Sequence, residues 1–171
     1  MPDEDRSEVF RPATKDDVKR IVELLADDVL GREREAPFDP LPTAYREAFD
    51  AIEADANQEL IVAESDGVVV GTLQLTFIPY LTHRGSWRAQ IEGVRVDASH
   101  RNSGVGRRML LWAIDRAGRR RCRLVQLTTD RSRPDALRFY ESLGFRPTHD
   151  GLKLALEPPD AQQAAEGRID E

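Results

Sequence analysis

The fold of this chain is decided by residues 91–110, which read IEGVRVDASHRNSGVGRRML. Ile91, Val94 and Val96 favour a strand, and apolar residues return at helical spacing from Val105 onward. The polar residues between them form a short turn that contains glycine. Unpaired amides at the start of a helix and the positive end of its dipole point in the same direction, so the sequence predicts an anion site at this turn.

Two common phosphate motifs do not fit the turn. A dinucleotide-binding fingerprint needs a third glycine where Met109 stands, and a Walker-type loop needs Gly-Lys-Ser/Thr where Arg107 and Arg108 follow Gly106. The run Arg-Asn-Ser-Gly-Val-Gly at residues 101–106 resembles instead the coenzyme A pyrophosphate loop of the Gcn5-related N-acetyltransferase (GNAT) family. An ordinary glycine-bearing turn between a strand and a helix is the alternative interpretation of this run alone.

A second stretch carries the same resemblance. Residues 136–145 read ALRFYESLGF and look like the Ala-x-x-Phe-Tyr-x-x-x-Gly-Phe helix of that family. The resemblance covers roughly residues 9–156 and is strongest over residues 87–145. Two signatures at the expected separation, each in its proper structural setting, are far more specific than either alone.

Working outward from residues 91–110, periodicity predicts the order β-α-α-β-β-β-α-β-α-β. A helix is expected from about Lys15 to Leu30, because Thr14 and Asp17 form a capping signature. Asp66-Gly67 predicts a hairpin turn, and the alternating leucines at 152, 154 and 156 predict a last strand. The fold class is therefore mixed α/β (α+β), with a GNAT-like, mostly antiparallel central sheet flanked by helices.

The 171 residues predict one domain over residues 9–156, preceded by a loose segment at 1–8 and followed by a disordered acidic tail at 157–171. A net charge of −6 argues against general nucleic-acid binding. Cys122 is the only cysteine and the three histidines are scattered, so neither a disulfide nor a metal site is expected. We also expect no signal peptide, no membrane span and a cytoplasmic location. The resemblance implies a homodimer.

The central strand supplies the candidate general base. Glu92 is a carboxylate between Ile91 and Gly93, and partial burial beside a cleft would raise its pKa and suit it to deprotonating an amine. A glutamate paired with Arg88 or Arg95 is the alternative interpretation.

The resemblance implies the remaining cofactor contacts and the second catalytic residue. The pantetheine arm of acetyl-CoA would bond to the backbone near Val94 and Val96, with an N–H near Val94 stabilising the acetyl oxygen, and Gly93 would mark a bulge. Tyr140 would donate a proton to the leaving thiolate, or would serve only as a packed aromatic residue. The implied coenzyme-binding loop consists of Arg101, Asn102, Ser103, Gly104, Val105, Gly106 and Arg107. Arg133 stands where the family often has the asparagine that contacts pantetheine, so the resemblance does not imply that contact for Arg133, and Asp130 or Ser132 is the alternative.

The acceptor pocket is expected, by the same resemblance, between residues 31–42 and the loop before the central strand. Tyr80, Arg84 and Trp87 in that loop are the candidate substrate-binding residues. The predicted function is an acetyl-CoA-dependent N-acetyltransferase that acts on a small-molecule amine by direct transfer in a ternary complex. The alternatives are a non-catalytic acetyl-CoA-binding regulatory module and an acyltransferase with another acyl donor or a hydroxyl acceptor.

Overall fold

A five-stranded sheet forms the centre of the protein, whose structure is a computed structural model describing residues 8–156. The strands lie in the order β1-β2-β3-β4-β5; β1 to β4 are antiparallel, and β5 is parallel to β4. The strands are β1 Val9–Pro12, β2 Gln58–Ser65, β3 Val68–Pro79, β4 Trp87–Val96 and β5 Cys122–Leu127. The helices are α1 Val18–Ala26, α2 Val29–Arg34, α3 Thr43–Ala54, α4 Thr82–Gly85, α5 Val105–Arg119 and α6 Pro134–Glu141, and Lys15–Asp17 and Ala98–His100 are 3₁₀ turns.

Helices cover both faces of the sheet. The larger part of the core lies on the α5 face, where Met109, Leu110 and Ala113 are fully buried against Leu73 and Ile91. On the other face, α1 and α3 bury their apolar stripes against the sheet in two smaller clusters. This burial on both faces holds β4 rigidly in the middle of the molecule.

The side-chain pattern of β3 shows why the sheet has these two faces. Leu73, Leu75 and Phe77 are buried in the α5 core, whereas Gln74 and Thr76 between them are half-buried. Both polar side chains donate to Oε1 of Gln58 on β2, at 3.0 and 2.8 Å. This period of two residues arises because successive side chains of a strand point to opposite faces.

The fold class is confirmed, and two elements differ from the prediction. The helix expected from Lys15 to Leu30 is broken at Asp27–Asp28, where α1 ends and α2 begins, and α2 occupies part of the connection expected to be irregular. Gly31 permits this break, since a Cβ there would lie 1.9 Å from the backbone oxygen of Leu25. Only glycine allows α2 to fold back so closely on the end of α1.

The last strand predicted around Leu152–Leu156 is wrong for this structure. Residues 146–156 contain no strand, and Leu152, Leu154 and Leu156 are 95%, 86% and 85% exposed. Alternating leucines indicate a strand only where an adjacent edge pairs with it, and this segment has none. The acidic tail at 157–171 and residues 1–7 of the loose N-terminal segment lie outside the described residues. Across residues 8–156, no helix combines the length and apolar character needed to cross a membrane.

Candidate active site

The site lies along β4 beyond the point where its neighbour β5 ends, and the space beside this unpaired edge is called the gap. β4 and β5 pair in parallel from Trp87 opposite Cys122 to Ile91 opposite Leu127, and the pairing ends there. On its other side, β4 shifts register against β3 between Gln74–Glu92 and Thr72–Arg95. This shift is the predicted bulge, and Gly93 lies in it with a φ of +61°. The edge of β4 that faces β5 is therefore open from Glu92 onward.

Glu92 occupies the first open position of that edge. Its side chain is exposed, so the expected partial burial is wrong. Within residues 8–156 it forms neither of the ion pairs considered above: Arg95 lies beside Asp28, and the Arg88 guanidinium stacks on the Tyr80 ring at 5.1 Å. Glu92 is thus a carboxylate that no described residue neutralises, and it lies just beyond the point where β5 ends.

Tyr140 lies on α6 beside the same gap. Its ring packs edge-on against Phe145 at 6.0 Å and near Phe139 at 5.3 Å, and the residue borders the α5 core. Burial raises the pKa of the phenol above its ordinary value of 10.0, while the charges of Arg95 and Arg133 act to lower it. The phenol keeps its proton at neutral pH, as a proton donor must. No hydrogen bond to its hydroxyl occurs among the described residues, so the hydroxyl is available to a ligand.

The glycine turn has the conformation that the sequence predicts. Gly104 directly precedes α5 and has a φ of +86°. Asn102 has a φ of +64°, which asparagine tolerates better than most residues. The first hydrogen bond of the helix is donated by the Arg108 N–H to the Gly104 oxygen at 3.0 Å. The N–H groups of residues 105–107 precede that bond, so they have no carbonyl one turn behind them to bind.

This arrangement fits a diphosphate group. Successive free amides at the N-terminus of a 15-residue helix make a binding site for an anion, strengthened by the helix dipole. A Cβ on Gly106 would touch Val96 at 3.5 Å and Phe139 at 3.7 Å, so the helix starts in close contact with the end of β4. The amides of residues 105–107 are thereby fixed at the end of the gap next to Val96.

The arginines of the loop have different surroundings. Arg101 points away from the amides: its guanidinium donates to the Val96 oxygen at 3.2 Å and to the Asp27 carboxylate at 2.8 Å. Arg108 lies over Gly104 and forms a two-pronged pair with Glu8 at 2.7 and 2.6 Å. Arg107 is exposed and has no ion-pair partner among residues 8–156. Arg107 is therefore the loop guanidinium free to bind a phosphate.

A cluster of charges at the mouth of the gap was missed in the sequence analysis. Asp28, at the start of α2, lies between Arg95 of β4 and Arg133, the residue before α6. Its Oδ2 is 2.5 Å from Arg133 Nη2 and 3.1 Å from Arg95 Nε, and its Oδ1 accepts from the Gly31 N–H at 2.6 Å. The only signal in the sequence was Arg133 itself, standing where the family often has asparagine.

The candidate acceptor residues lie at the opposite end of β4. Trp87 is the first residue of that strand, five positions and about 17 Å before Glu92 along an extended chain. Tyr80 and Arg84 line a separate cavity of about 350 Å³, together with His83, Ser86, Arg123 and Leu124. The structure does not bring these three residues together with Glu92, and their role stays a prediction.

Two further features lie away from the gap. Cys122 begins β5 at the end far from the open edge, and burial raises the pKa of its thiol. A cavity of about 550 Å³ lies at the other edge of the sheet, lined in part by Phe49, Trp112 and Arg116. Within the described part of the chain, no three His, Cys, Asp or Glu side chains are grouped so as to hold a metal ion.

Comparison with known proteins yields a consistent set of relatives. The sequence model of the Acetyltransferase (GNAT) family matches residues 21–145. An aminoalkylphosphonate N-acetyltransferase of Salmonella typhimurium is 31% identical over 113 residues, which cover 66% of this chain and 73% of that protein. A glucosamine 6-phosphate N-acetyltransferase of Trypanosoma brucei brucei is 32% identical over 90 residues, which cover 53% of this chain and 59% of the relative.

Solved structures are also similar to this chain. A crystal structure from Bacillus halodurans C-125, described as a transcriptional regulator, is 54% identical with a TM-score of 0.86. The similarity covers 88% of this chain and 100% of that one.

Proposed function

This chain belongs to the acetyltransferase (GNAT) family, and from that premise we propose that it moves an acetyl group from acetyl-CoA to a small-molecule amine by direct transfer in a ternary complex. The end of β5 opposite Ile91 carries the proposal. It leaves an open strand edge, a free carboxylate and a free phenol around one gap, below a turn that can bind a diphosphate. The Salmonella and Trypanosoma relatives are named for acceptors that are amines bearing a phosphonate or a phosphate.

The turn between β4 and α5 would hold the diphosphate of the coenzyme. The amides of residues 105–107 would donate to the phosphate oxygens, and Arg107 would add a charge from the exposed side. Residues 101–104 shape the turn through the left-handed conformations of Asn102 and Gly104. The pantetheine arm would then lie along the open edge of β4 and bond to the backbone near Val94 and Val96.

Glu92 would act as the general base. It lies at the first position of β4 that β5 leaves unpaired, and no described residue competes for its carboxylate. It would accept a proton from the amine, directly or through one water molecule. The amine nitrogen would then form a bond to the acetyl carbonyl carbon as the bond from that carbon to sulfur breaks.

Two further groups at the gap would stabilise the charges that form in that step. The N–H of Val94 would donate a hydrogen bond to the carbonyl oxygen as it gains negative charge. Tyr140 would donate its proton to the departing thiolate, so that one proton passes to Glu92 and one is supplied to sulfur. Burial of Tyr140 keeps the phenol protonated until that moment.

Turnover of acetyl-CoA with a panel of amines tests this proposal. We expect thiol release with at least one amine, and a loss of roughly 100-fold or more in kcat/KM for Glu92→Gln. Calorimetry should give the same affinity for acetyl-CoA in both proteins, because Glu92 lies outside the diphosphate turn. Unchanged turnover in the variant would exclude Glu92 as the base.

A regulatory module is the second candidate, because the Bacillus halodurans structure is described as a transcriptional regulator. Tight binding of acetyl-CoA without turnover of any amine would support that function. Turnover with a longer acyl-CoA or with an alcohol would indicate a related acyltransferase instead. A homodimer, a cytoplasmic location and the absence of metal, nucleic-acid and membrane partners stay predictions.

A further inference from the structure

We propose that the acceptor carries an oxyanion group as well as its amine, and that Arg95 and Arg133 bind this group in the place that Asp28 takes in the free protein. The inference rests on the proposed function, since it names the class of amine that this gap receives. A phosphonate, a phosphate or a carboxylate would satisfy the same two guanidinium groups.

The first argument is the charge of the cluster. Two guanidinium groups share a single carboxylate oxygen, Oδ2 of Asp28, so one positive charge is left over. Arg34 adds to this field and pairs with Glu35 rather than with Asp28. The unbalanced positive charge therefore attracts an anionic ligand to this position.

The second argument is the incomplete bonding of Arg95. Its side chain is only 15% exposed, and its Nε is buried and donates no hydrogen bond to any described residue. Nε lies 3.1 Å from Asp28 Oδ2 but is not aligned to donate to it. Burial lowers the pKa of Arg95 below its ordinary value, and the charge of Asp28 only partly opposes this. A buried donor without an acceptor is costly, and two oxygens of a carboxylate, phosphate or phosphonate can accept from the fork of a guanidinium group.

The third argument is the position of the cluster. Arg95 follows Glu92 by three residues on β4, just beyond the bulge at Gly93. The charges of Arg95 and Arg133 both act on the phenol of Tyr140. An anion held by this pair would therefore lie beside the candidate base and acid, with its amine directed into the gap.

Asp28 can give up its place without unfolding its helix. Its Oδ1 caps α2 by accepting from the Gly31 N–H, whereas Oδ2 alone contacts the arginines. Because Asn caps a helix as well as Asp does, Asp28→Asn removes the competing charge and leaves the cap. The proposal therefore predicts that Asp28→Asn binds the anionic amine more tightly, whereas a purely structural role of the ion pair predicts no such gain.

The test compares amines of similar length in the thiol-release assay: 2-aminoethylphosphonate, 3-aminopropionate and the uncharged propylamine. We expect the better of the two anionic amines to have a kcat/KM at least tenfold above that of propylamine. Arg133→Gln should raise the KM for this anionic amine about tenfold, a loss of ~1.4 kcal/mol, and change propylamine less than twofold. Asp28→Asn should lower the KM for the anionic amine several-fold. Arg131→Gln is the matched control, because Arg131 is exposed and pairs with Asp150 outside the cluster.

Three results would overturn the inference: a higher KM for the anionic amine in Asp28→Asn, equal changes for charged and neutral amines in Arg133→Gln, or an acetyl-CoA affinity at least tenfold weaker in Arg133→Gln. The last result would assign the cluster to the coenzyme. Calorimetric titration with 2-aminoethylphosphonate gives a readout without turnover. If no amine is acetylated, but 2-aminoethylphosphonate binds more tightly to Asp28→Asn and more weakly to Arg133→Gln, the proposed function fails and the anion site stands. If 2-aminoethylphosphonate binds to none of the proteins, the anion site is refuted.

Discussion

Gly104→Ala tests whether the turn before α5 holds the conformation on which coenzyme binding depends. Gly104 has a φ of +86°, a region that costs a residue with a Cβ about 1–2 kcal/mol. The new Cβ would also lie 2.6 Å from Nη1 of Arg108.

The second cost is smaller than the first. Nη1 is the far end of a flexible side chain, so it can move, but it would give up its hydrogen bond to the Ser103 oxygen at 3.2 Å. The ion pair between Glu8 and Arg108 would be disturbed as well, and because the Arg108 side chain is 45% exposed we assign this pair roughly 0–1 kcal/mol. The sum is about 2 kcal/mol of lost stability, equivalent to roughly 4–8 °C in Tm for a domain of this size.

Thermal unfolding and calorimetry with acetyl-CoA measure both consequences. We expect the lower Tm together with an acetyl-CoA affinity about tenfold weaker, because the amides that follow Gly104 would turn away from the diphosphate. Gly118→Ala is the matched control in the same helix. A Cβ at Gly118 meets no atom within 4 Å, and its φ is not positive, so alanine should raise stability by about 0.5–1 kcal/mol and leave acetyl-CoA affinity unchanged.

Gly104→Ala is expected to lower stability and Gly118→Ala to raise it, so the pair of measurements can refute a left-handed turn at Gly104. If Gly104→Ala unfolds at the same temperature as the parent protein and binds acetyl-CoA equally well, the turn is not held in the left-handed conformation. If both variants lose stability equally, the loss reflects general intolerance of α5 to change rather than backbone strain.

Substitutions at three other positions give separate tests. Tyr140→Phe should lower kcat about 100-fold with Tm within 1 °C, because the ring keeps its packing. Since burial raises the pKa of Tyr140 above its ordinary value of 10.0, parent activity should fall only as pH rises above about 10, and a basic limb below pH 9 that persists in Tyr140→Phe would place the donor elsewhere. The hydrogen bond from Arg11 lowers the pKa of Asp17, so its contribution is fully present above the unfolded pKa of about 3.9 and is lost as pH falls from there through the lower folded pKa. Asp17→Asn should cost roughly 2 kcal/mol at pH 6 in urea unfolding and less at pH 3, whereas an equal cost at both would contradict this linkage. Asn102→Gly should change stability by less than about 0.5 kcal/mol, since relief of its φ of +64° is offset by a more flexible unfolded chain. Asn102→Val should cost about 1–2 kcal/mol by the same urea titration, and a neutral valine would show that the turn is not left-handed there.

The features predicted correctly depend on residues close together in the chain. The bulge at Gly93 and the hairpin at Asp66–Gly67 each follow from the preferences of a few adjacent residues. The start of α5 belongs with them, since helical spacing resumes at Val105, where the helix begins. Such local preferences do not depend on what packs against the segment.

The features predicted wrongly depend on partners far away in the chain. Glu92 is exposed because β5 ends opposite Ile91, and nothing in residues 91–93 records where β5 ends. The leucines at 152–156 alternate as a strand would, but a strand forms only beside an edge that receives it. The break between α1 and α2 follows from contact between Gly31 and the Leu25 carbonyl.

The amino-acid sequence by itself determined the class of fold, the turn that can bind a diphosphate and the identity of the carboxylate and phenol beside the gap. Only the tertiary structure decided that Asp28 lies between Arg95 and Arg133, since Asp28 and Arg133 are 105 positions apart in the chain. It also decided that Tyr80, Arg84 and Trp87 lie at the other end of β4. The physical reason is separation along the chain. Turns and helix starts are set by the dihedral angles of neighbouring residues, whereas the electrostatic field around a site is the sum of charges that folding brings together from distant positions.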